Sequence, residues 1–367
     1  MTLPETIAMQ DLLLHSFRPA SIILGIAMMI LSGRRLRDFE TARARDKYLF
    51  IVGLLLILVS VLPAVLRATA MQFGLPPSQN GGIILSLILA IGILFLLTLQ
   101  ALDRGEINKR KLDLLNRASS LAIFRNSEEF RKLPPRGQRR TLCIVPAYNE
   151  ADNLVPLIDR FSALEGFGTS LTVVIVDDGS SDNTEEVVRA SGCVYLRQVT
   201  NRGQGSALRT GYRLAIDHGY SYVVTIDADG QNNPEEIALL IQPLIEDQAD
   251  VVIGSRILGK HDITVIWRHW GVKFFTALFN FLSGQNITDI SSGFKAIKTS
   301  TLRQLRLYED QFQASEFLML SAKSGARFKE VPIHFKQRHS GTSKKGNDLT
   351  YAIKFCYVLL ISWIRYK

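Results

Sequence analysis

Hydrophobic and polar positions divide the chain into two regimes. In the first hundred residues the apolar positions come in long unbroken runs, Pro19–Ser32, Tyr48–Leu66 and Ile83–Leu102. The second and third are 19 and 20 residues long, enough at about 1.5 Å per residue to cross a bilayer core of about 30 Å. The first is shorter unless it borrows Leu12–Leu14. These runs predict about three transmembrane helices over 1–103; buried helices of a soluble protein are the alternative. A cleaved signal peptide fits poorly, because the basic residues follow the first apolar run.

Beyond Leu133-Pro-Pro-Arg-Gly137, a helix-breaking boundary, the pattern changes. Short apolar, β-branched runs alternate with amphipathic ones. Strands are predicted at Thr141–Val145, Leu171–Val176, Tyr222–Ile226 and Asp250–Ile253. Helices are predicted at Glu150–Leu164, from Thr184, at Ala207–His218 and at Pro234–Ile245, the last with proline in its first turn. Repeated β–α units with continuously apolar strands imply a mostly parallel sheet covered on both faces. Between the two regimes, 104–138 reads as a helical linker in which Ile107, Leu112, Leu115 and Leu121 lie among many charges. Their spacing suits a solvated stalk or an oligomer seam.

Charge adds a topology. The loop after the first apolar run carries Arg34, Arg35, Arg37, Arg43, Arg45 and Lys47, and Arg104, Lys109, Arg110 and Lys111 follow the third. The loop after the second run has only Arg67 near its start. Positive residues mark the cytoplasmic side, so the N-terminus is expected outside and everything after Leu102 in the cytoplasm of a cell membrane. The net charge of +9 has no basic–aromatic stacking pattern beside it, which argues against nucleic acid, and attraction to lipid headgroups accounts for it. Cys143, Cys193 and Cys356 are widely spaced in apolar surroundings, as expected of reduced thiols rather than a disulfide frame or zinc site.

The polar clusters fall where a parallel α/β sheet binds ligands, at the carboxyl ends of its strands. The most telling is Asp227-Ala-Asp-Gly-Gln231, directly after Tyr222–Ile226. Side chains at i and i+2 leave a strand on one side, so Asp227 and Asp229 can face one cation. Their hard oxygens suit Mg²⁺ or Mn²⁺. An ordinary Asp/Gly turn reads the same way in isolation. Pro146-Ala-Tyr-Asn-Glu150, Asp177-Asp-Gly-Ser180 and Asn201-Arg-Gly-Gln-Gly205 occupy the corresponding places after earlier strands or before a helix.

Together these motifs resemble a family-2 glycosyltransferase of GT-A fold, within it the branch of dolichol-phosphate-mannose synthase and bacterial polyprenyl-phosphate glycosyltransferases. The likeness runs from about Arg140 to Lys345 and is carried by Val145–Glu150, Val176–Ser180, Asp227–Gln231, Gly254-Ser-Arg256, Ser292-Gly-Phe294 and Arg338…Ser343-Lys344. It implies a GT-A catalytic domain over 139–346, Rossmann-like, with helices on both faces of a mostly parallel sheet. It implies that Pro146, Tyr148, Glu150, Val176 and Asp178 line the nucleotide base and ribose. Asp227 and Ala228 would contact ribose or pyrophosphate, Asp229 and Gln231 would ligate the metal, and Arg256, Arg338 and Lys344 would bind phosphates. Lys345, and Asn232-Asn233 ahead of Pro234, depart from the usual family residues without touching the metal positions.

The implied activity is inverting transfer of a hexose from a UDP- or GDP-linked donor to a polyprenyl or dolichyl phosphate. A lipid phosphate is already ionised near neutral pH and needs no strong general base. Asp289 is thus an acceptor-site carboxylate or simply a turn or capping residue. Arg268–Leu282, with Trp270 and four phenylalanines behind basic residues, is expected to lie in the membrane interface as a helix near 268–283, or else to be a core helix. The tail over 347–367 is apolar but interrupted by Lys354, and is expected to lie in the membrane interface or pack on the anchor rather than cross the membrane. Expected partners are the sugar nucleotide, the lipid acceptor, membrane lipids and, compatibly, further copies of the chain. A processive polysaccharide synthase would carry a Gln-x-x-Arg-Trp element, which is absent. Transfer to another glycan or lipid, or a non-catalytic sugar-nucleotide-binding subunit, are the remaining alternatives.

Overall fold

The computed structural model describes residues 22–30, 107–137, 140–164, 169–261, 266–337 and 349–365, with a few isolated positions before 107. The chain forms two compact units, Met1–Lys109 together with Lys367, and Arg110–Tyr366. In the first unit the described residues include a helix over 22–30. Gly25 meets the segment at Gly53 so closely that a Cβ on Gly25 would lie 2.6 Å from the Gly53 carbonyl oxygen. No helix among the described residues is long and apolar enough to cross a membrane, and most of the three apolar runs lies outside those residues.

The second unit is built on a seven-stranded sheet in the order β3-β2-β1-β4-β6-β5-β7. In chain order the strands are β1 (Arg140–Ala147), β2 (Ser170–Asp177), β3 (Val194–Arg197), β4 (Tyr222–Thr225), β5 (Val251–His261), β6 (Lys295–Lys298) and β7 (Phe328–Phe335). The sheet is parallel except for β6, which runs antiparallel to both neighbours. All eight residues of β1 are buried. Alternate side chains pass to opposite faces: Leu142 and Ile144 enter one core with Val174, Val176 and Val223, while Cys143 and Val145 enter the other with Ile175, Val224 and Ile226. This is why the strands read as unbroken apolar runs rather than as alternation.

Helices cover both faces. Helix α2 (Ala151–Ser162) and α5 (Ile237–Ile245, after a 3-10 turn at Pro234–Glu236) contribute Leu154, Leu157, Leu240 and Ile241 to one core. On the other face lie α1 (107–125), α4 (Gln204–His218), α6 (Ile266–Ser283), α7 (Gln313–Lys323) and α8 (Leu349–Arg365), through Phe124, Leu208, Phe279, Phe317 and Phe355. A short α3 (Thr184–Arg189) links β2 to β3. The four predicted strands are present; β3, β6 and β7 are additional. They are short or have mixed polarity, so periodicity alone gives little signal for them.

Helix α1 departs from the stalk expected of 104–138. Asp113, Asn116, Ser120, Leu121 and Phe124 are buried on one side of it, against the α/β core. The buried positions recur every three to four residues, but several are polar, and a pattern sought among apolar residues does not register them. Helices α6 and α8 each have a buried side and an exposed one. Phe279, Phe355 and Leu359 are buried and the Phe275 and Phe355 rings stack 4.1 Å apart, yet Phe281 is 85% exposed and Phe274 60%.

Candidate active site

The sheet's carboxyl edge gathers the motifs. The register sets Ala147 of β1 opposite Asp177 of β2, and the Ile226 N–H reaches the Ile144 carbonyl at 3.1 Å, so three strand ends reach nearly the same level. The loops leaving them are stitched together. Asn149, in the left-handed region at φ 52°, donates its N–H to Ser180 Oγ (2.8 Å) and accepts the Ser181 N–H on its side-chain oxygen (2.8 Å). Glu150 precedes α2 and accepts the Asn153 amide at 2.6 Å. Pro146 and Val176 are held in the strands as paired register positions. Tyr148 stands exposed beside them.

The two carboxylates at the end of β2 do different work. Asp177 is fully buried and accepts the Ser180 N–H (2.8 Å) and the Tyr195 hydroxyl (2.6 Å), fixing the turn. Asp178 accepts the backbone N–H groups of Arg202 (2.9 Å) and Gly203 (2.6 Å), holding the loop 201–205 at the site's edge. Burial raises its pKa from 3.8 to about 6, against the lowering effect of those two donors. Across about pH 4 to 6 the folded protein therefore retains a proton that the unfolded chain gives up, and this group's contribution to stability declines as pH rises through that window. Activity runs the other way, since a neutral carboxyl serves two N–H donors less well than a carboxylate. An acid limb near pH 6 is expected in kcat/KM, and Asp178→Asn should lower the plateau and remove the limb.

After β4, Asp227 accepts the Gln204 side-chain amide at 2.7 Å. Gly293 makes room for it: a Cβ there would sit 2.6 Å from Asp227 Oδ2 and 2.9 Å from Oδ1. Gly293 is pinned in turn by its carbonyl, which accepts the Thr225 hydroxyl at 2.7 Å. Gly293→Ala is expected to displace the Asp227 carboxylate and lower kcat/KM about tenfold, a cost of ~1–3 kcal/mol for overpacking, with the circular dichroism spectrum unchanged. Ala228 is buried under the turn. Asp229 is buried, and its Oδ1 accepts the Gln231 N–H at 3.2 Å. Gln231 joins this turn to the end of β7: its carbonyl accepts the Lys336 N–H (2.8 Å) and its side-chain NH₂ donates to the Lys336 carbonyl (3.1 Å). With that NH₂ engaged, the amide oxygen is the side chain's remaining polar atom.

Arg256, five residues into β5, is paired with Asp289. Its Nε and Nη2 donate to the two carboxylate oxygens at 2.7 Å each, Nη2 also reaches Ser291 Oγ at 2.5 Å, and the guanidinium lies 5.1 Å from the Phe335 ring centroid. Asp289 is fully buried. Burial pushes its pKa up, but the Arg256 hydrogen bonds and charge outweigh burial and hold it below the ordinary carboxylate value. Burial pulls the Arg256 pKa down, while Asp289, with a further contribution from the Asp227 charge, carries it above its usual value. The structure thus makes Asp289 the counter-ion of Arg256. Glu330 on β7 secures the same loop by accepting the N–H groups of Thr288 (2.8 Å) and Asp289 (3.1 Å).

Arg338 and Lys344 lie outside the described residues. Gln204 and Glu330 were not picked out as functional positions in the sequence. Gln204 sits inside the recognised Asn201–Gly205 cluster, whereas Glu330 is one polar residue on a mixed strand and gives no local signal.

The profile described as Glycosyl transferase family 2 matches residues 142–306. A UDP-N-acetylglucosamine–dolichyl-phosphate N-acetylglucosaminyltransferase from Methanococcus voltae is 30% identical over 243 residues, 59% of this chain and 94% of that protein. An undecaprenyl-phosphate mannosyltransferase from Micrococcus luteus is 31% identical over 221 residues, 57% of this chain and 89% of that one. The chain belongs to glycosyl transferase family 2. Among solved structures, glucosyl-3-phosphoglycerate synthase from Mycobacterium tuberculosis with Mn²⁺ and UDP-glucose aligns at 20% identity and a TM-score of 0.48, over 63% of this chain and 80% of that one. As a family-2 glycosyltransferase, the protein carries its motif residues on the carboxyl edge of a mixed, mostly parallel sheet. Helix α1 begins upstream of the matched segment.

Proposed function

We propose that the protein transfers a hexose from a nucleoside-diphosphate donor to a polyprenyl or dolichyl phosphate at the cytoplasmic face of a cell membrane. The observation that carries this reading is the Asp227–Gln231 turn at the end of β4, facing the Arg256–Asp289 pair. The two curated relatives, which by name use undecaprenyl and dolichyl phosphates, support the acceptor class.

The donor set fits a hard divalent cation. Among the described residues no three His, Cys, Asp or Glu side chains cluster to hold a metal by themselves. The protein would supply the Asp229 carboxylate and the Gln231 amide oxygen, leaving other positions for diphosphate oxygens and water, a pattern that suits Mg²⁺ or Mn²⁺. Bound there, the ion would supply positive charge for the departing diphosphate. Asp227, steered by Gln204, orients the ribose or pyrophosphate. The Gln231–Lys336 link fixes where the segment bearing Arg338 and Lys344 leaves the sheet. Arg338 and Lys344 would supply cationic donors to the diphosphate as negative charge grows. Because Arg256 is neutralised by Asp289, it offers the acceptor phosphate only those N–H groups the carboxylate leaves free.

Exposed Phe274 and Phe281 on α6, with Tyr357, Leu360 and Trp363 on α8, support a face that rests on the lipid surface delivering the acceptor. The three apolar runs of 1–103 would anchor the protein there. The test is transfer of radiolabelled hexose from a panel of UDP- and GDP-sugars to undecaprenyl phosphate in vesicles. Labelled lipid is expected with Mg²⁺ or Mn²⁺, and its loss with EDTA and return with either ion. Donor binding without labelled lipid would favour a non-catalytic subunit instead.

A further inference from the structure

Gln204, where the loop 201–205 runs into α4, donates its side-chain amide to the Asp227 carboxylate (2.7 Å), and helix α1 holds that loop. Gln198 still donates its N–H to the Asp177 carbonyl at the end of β2 (2.8 Å), and beyond it α1 supplies the backbone's partners. Ser120 Oγ accepts the Val199 N–H at 3.0 Å. Asn116 Oδ1 accepts the Thr200 N–H at 3.0 Å, while Asn116 Nδ2 donates to the Gln198 side chain (2.7 Å) and the Thr200 carbonyl (3.3 Å). One turn earlier, Asp113 accepts the Ser206 hydroxyl (2.7 Å) and the Arg209 guanidinium (2.9 and 3.2 Å) at the start of α4, just past the loop. Arg209 pairs at its other side with Asp310, whose carbonyl accepts the Gly205 N–H at 3.2 Å. All these side chains except Thr200 and Asp310 are buried, so the network is complete only with α1 in place.

We infer that α1 is a positioning element of the transferase: through Asn116 and Asp113 it sets the loop 201–205, and through Gln204 that loop sets the Asp227 carboxylate. This rests on the transferase reading above for Asp227. It gives the 104–138 segment a task within the donor site besides joining two parts of the chain. It assigns Asn116, Asp113 and Gln204 to donor positioning, whereas neither Asn116 nor Asp113 lies in the family-matched segment. Asn116 and Asp113 act at a distance, since neither contacts Asp227, and Gln204 is the relay.

The test uses the full-length protein in detergent micelles with Asn116→Ala, Gln204→Ala and the double variant. Amide exchange of 199–205 is measured without substrate, and donor KM and kcat with the UDP- and GDP-hexose panel. Asn116→Ala is expected to speed exchange in that segment about tenfold and raise donor KM about tenfold, the loss of a buried hydrogen-bond partner. Gln204→Ala should raise KM similarly with exchange unchanged. The double variant should be no worse in KM than Asn116→Ala, because both act through one contact. Unchanged exchange and KM in Asn116→Ala, or KM effects that multiply in the double variant, would overturn the inference. If Asn116→Ala does not fold, Ser120→Ala, which removes the acceptor of the Val199 N–H and a bond within α1 to the Asn116 carbonyl, takes its place with the same expected direction. Should the wild type transfer hexose from no donor, the transferase reading falls, while the exchange data still decide whether α1 holds the loop.

Discussion

Asp229→Ala is expected to abolish hexose transfer, lowering kcat by about 100-fold or more, the scale seen when a preorganised charge partner of the reacting group is removed. Asp229 follows the end of β4 by a few residues, and its Oδ1 accepts the Gln231 N–H in the turn. The sheet and both cores are otherwise untouched, so circular dichroism and melting temperature should stay near those of the wild type. Direct Mn²⁺ titration by electron paramagnetic resonance should show weaker binding. Near-normal turnover in a folded Asp229→Ala protein would remove the metal role from this position.

Arg256→Ala should act first on stability. Asp289 is fully buried and receives both its strongest donors from Arg256. Removing the guanidinium leaves a carboxylate in a dry site, a loss of about 3–5 kcal/mol, which for a domain of this size lowers the melting temperature by roughly 6–15 °C. Asp289→Asn placed on top of Arg256→Ala should recover a good part of that loss, because a neutral amide replaces the stranded charge. Activity should not return with stability if Arg256 also serves the acceptor phosphate. A single Arg256→Ala variant as stable as the wild type would contradict the pairing. Recovery of both stability and turnover in the double variant would confine Arg256 to a structural role.

The site was legible in sequence because its residues lie in short contiguous motifs at strand ends. A parallel sheet forces its ligands to that edge, so Asp227, Asp229 and Gln231 could be placed from the apolar run before them. What could not be read was which partner each side chain meets. Asp178 and Asp177 look alike in sequence, yet the fold turns one to a tyrosine and a tight turn, and the other to the loop 201–205. Asp289 and Arg256 are 33 positions apart and form a buried pair only because β5 and the 288–291 loop converge.

By itself, then, the sequence determined the division into an apolar N-terminal region and an α/β domain, the four motif-bearing strands, and the position of the polar clusters at the strand ends. Each of these is written in residues close together along the chain, where hydrophobic period and ligand type suffice. Tertiary structure alone decided the places of β3, β6 and β7, the pairing of Asp289 with Arg256, the support of that loop by Glu330, and the docking of α1 through buried polar side chains. Those depend on groups brought together from distant positions, and on polar residues whose burial becomes favourable only when their hydrogen-bond partners arrive with the fold.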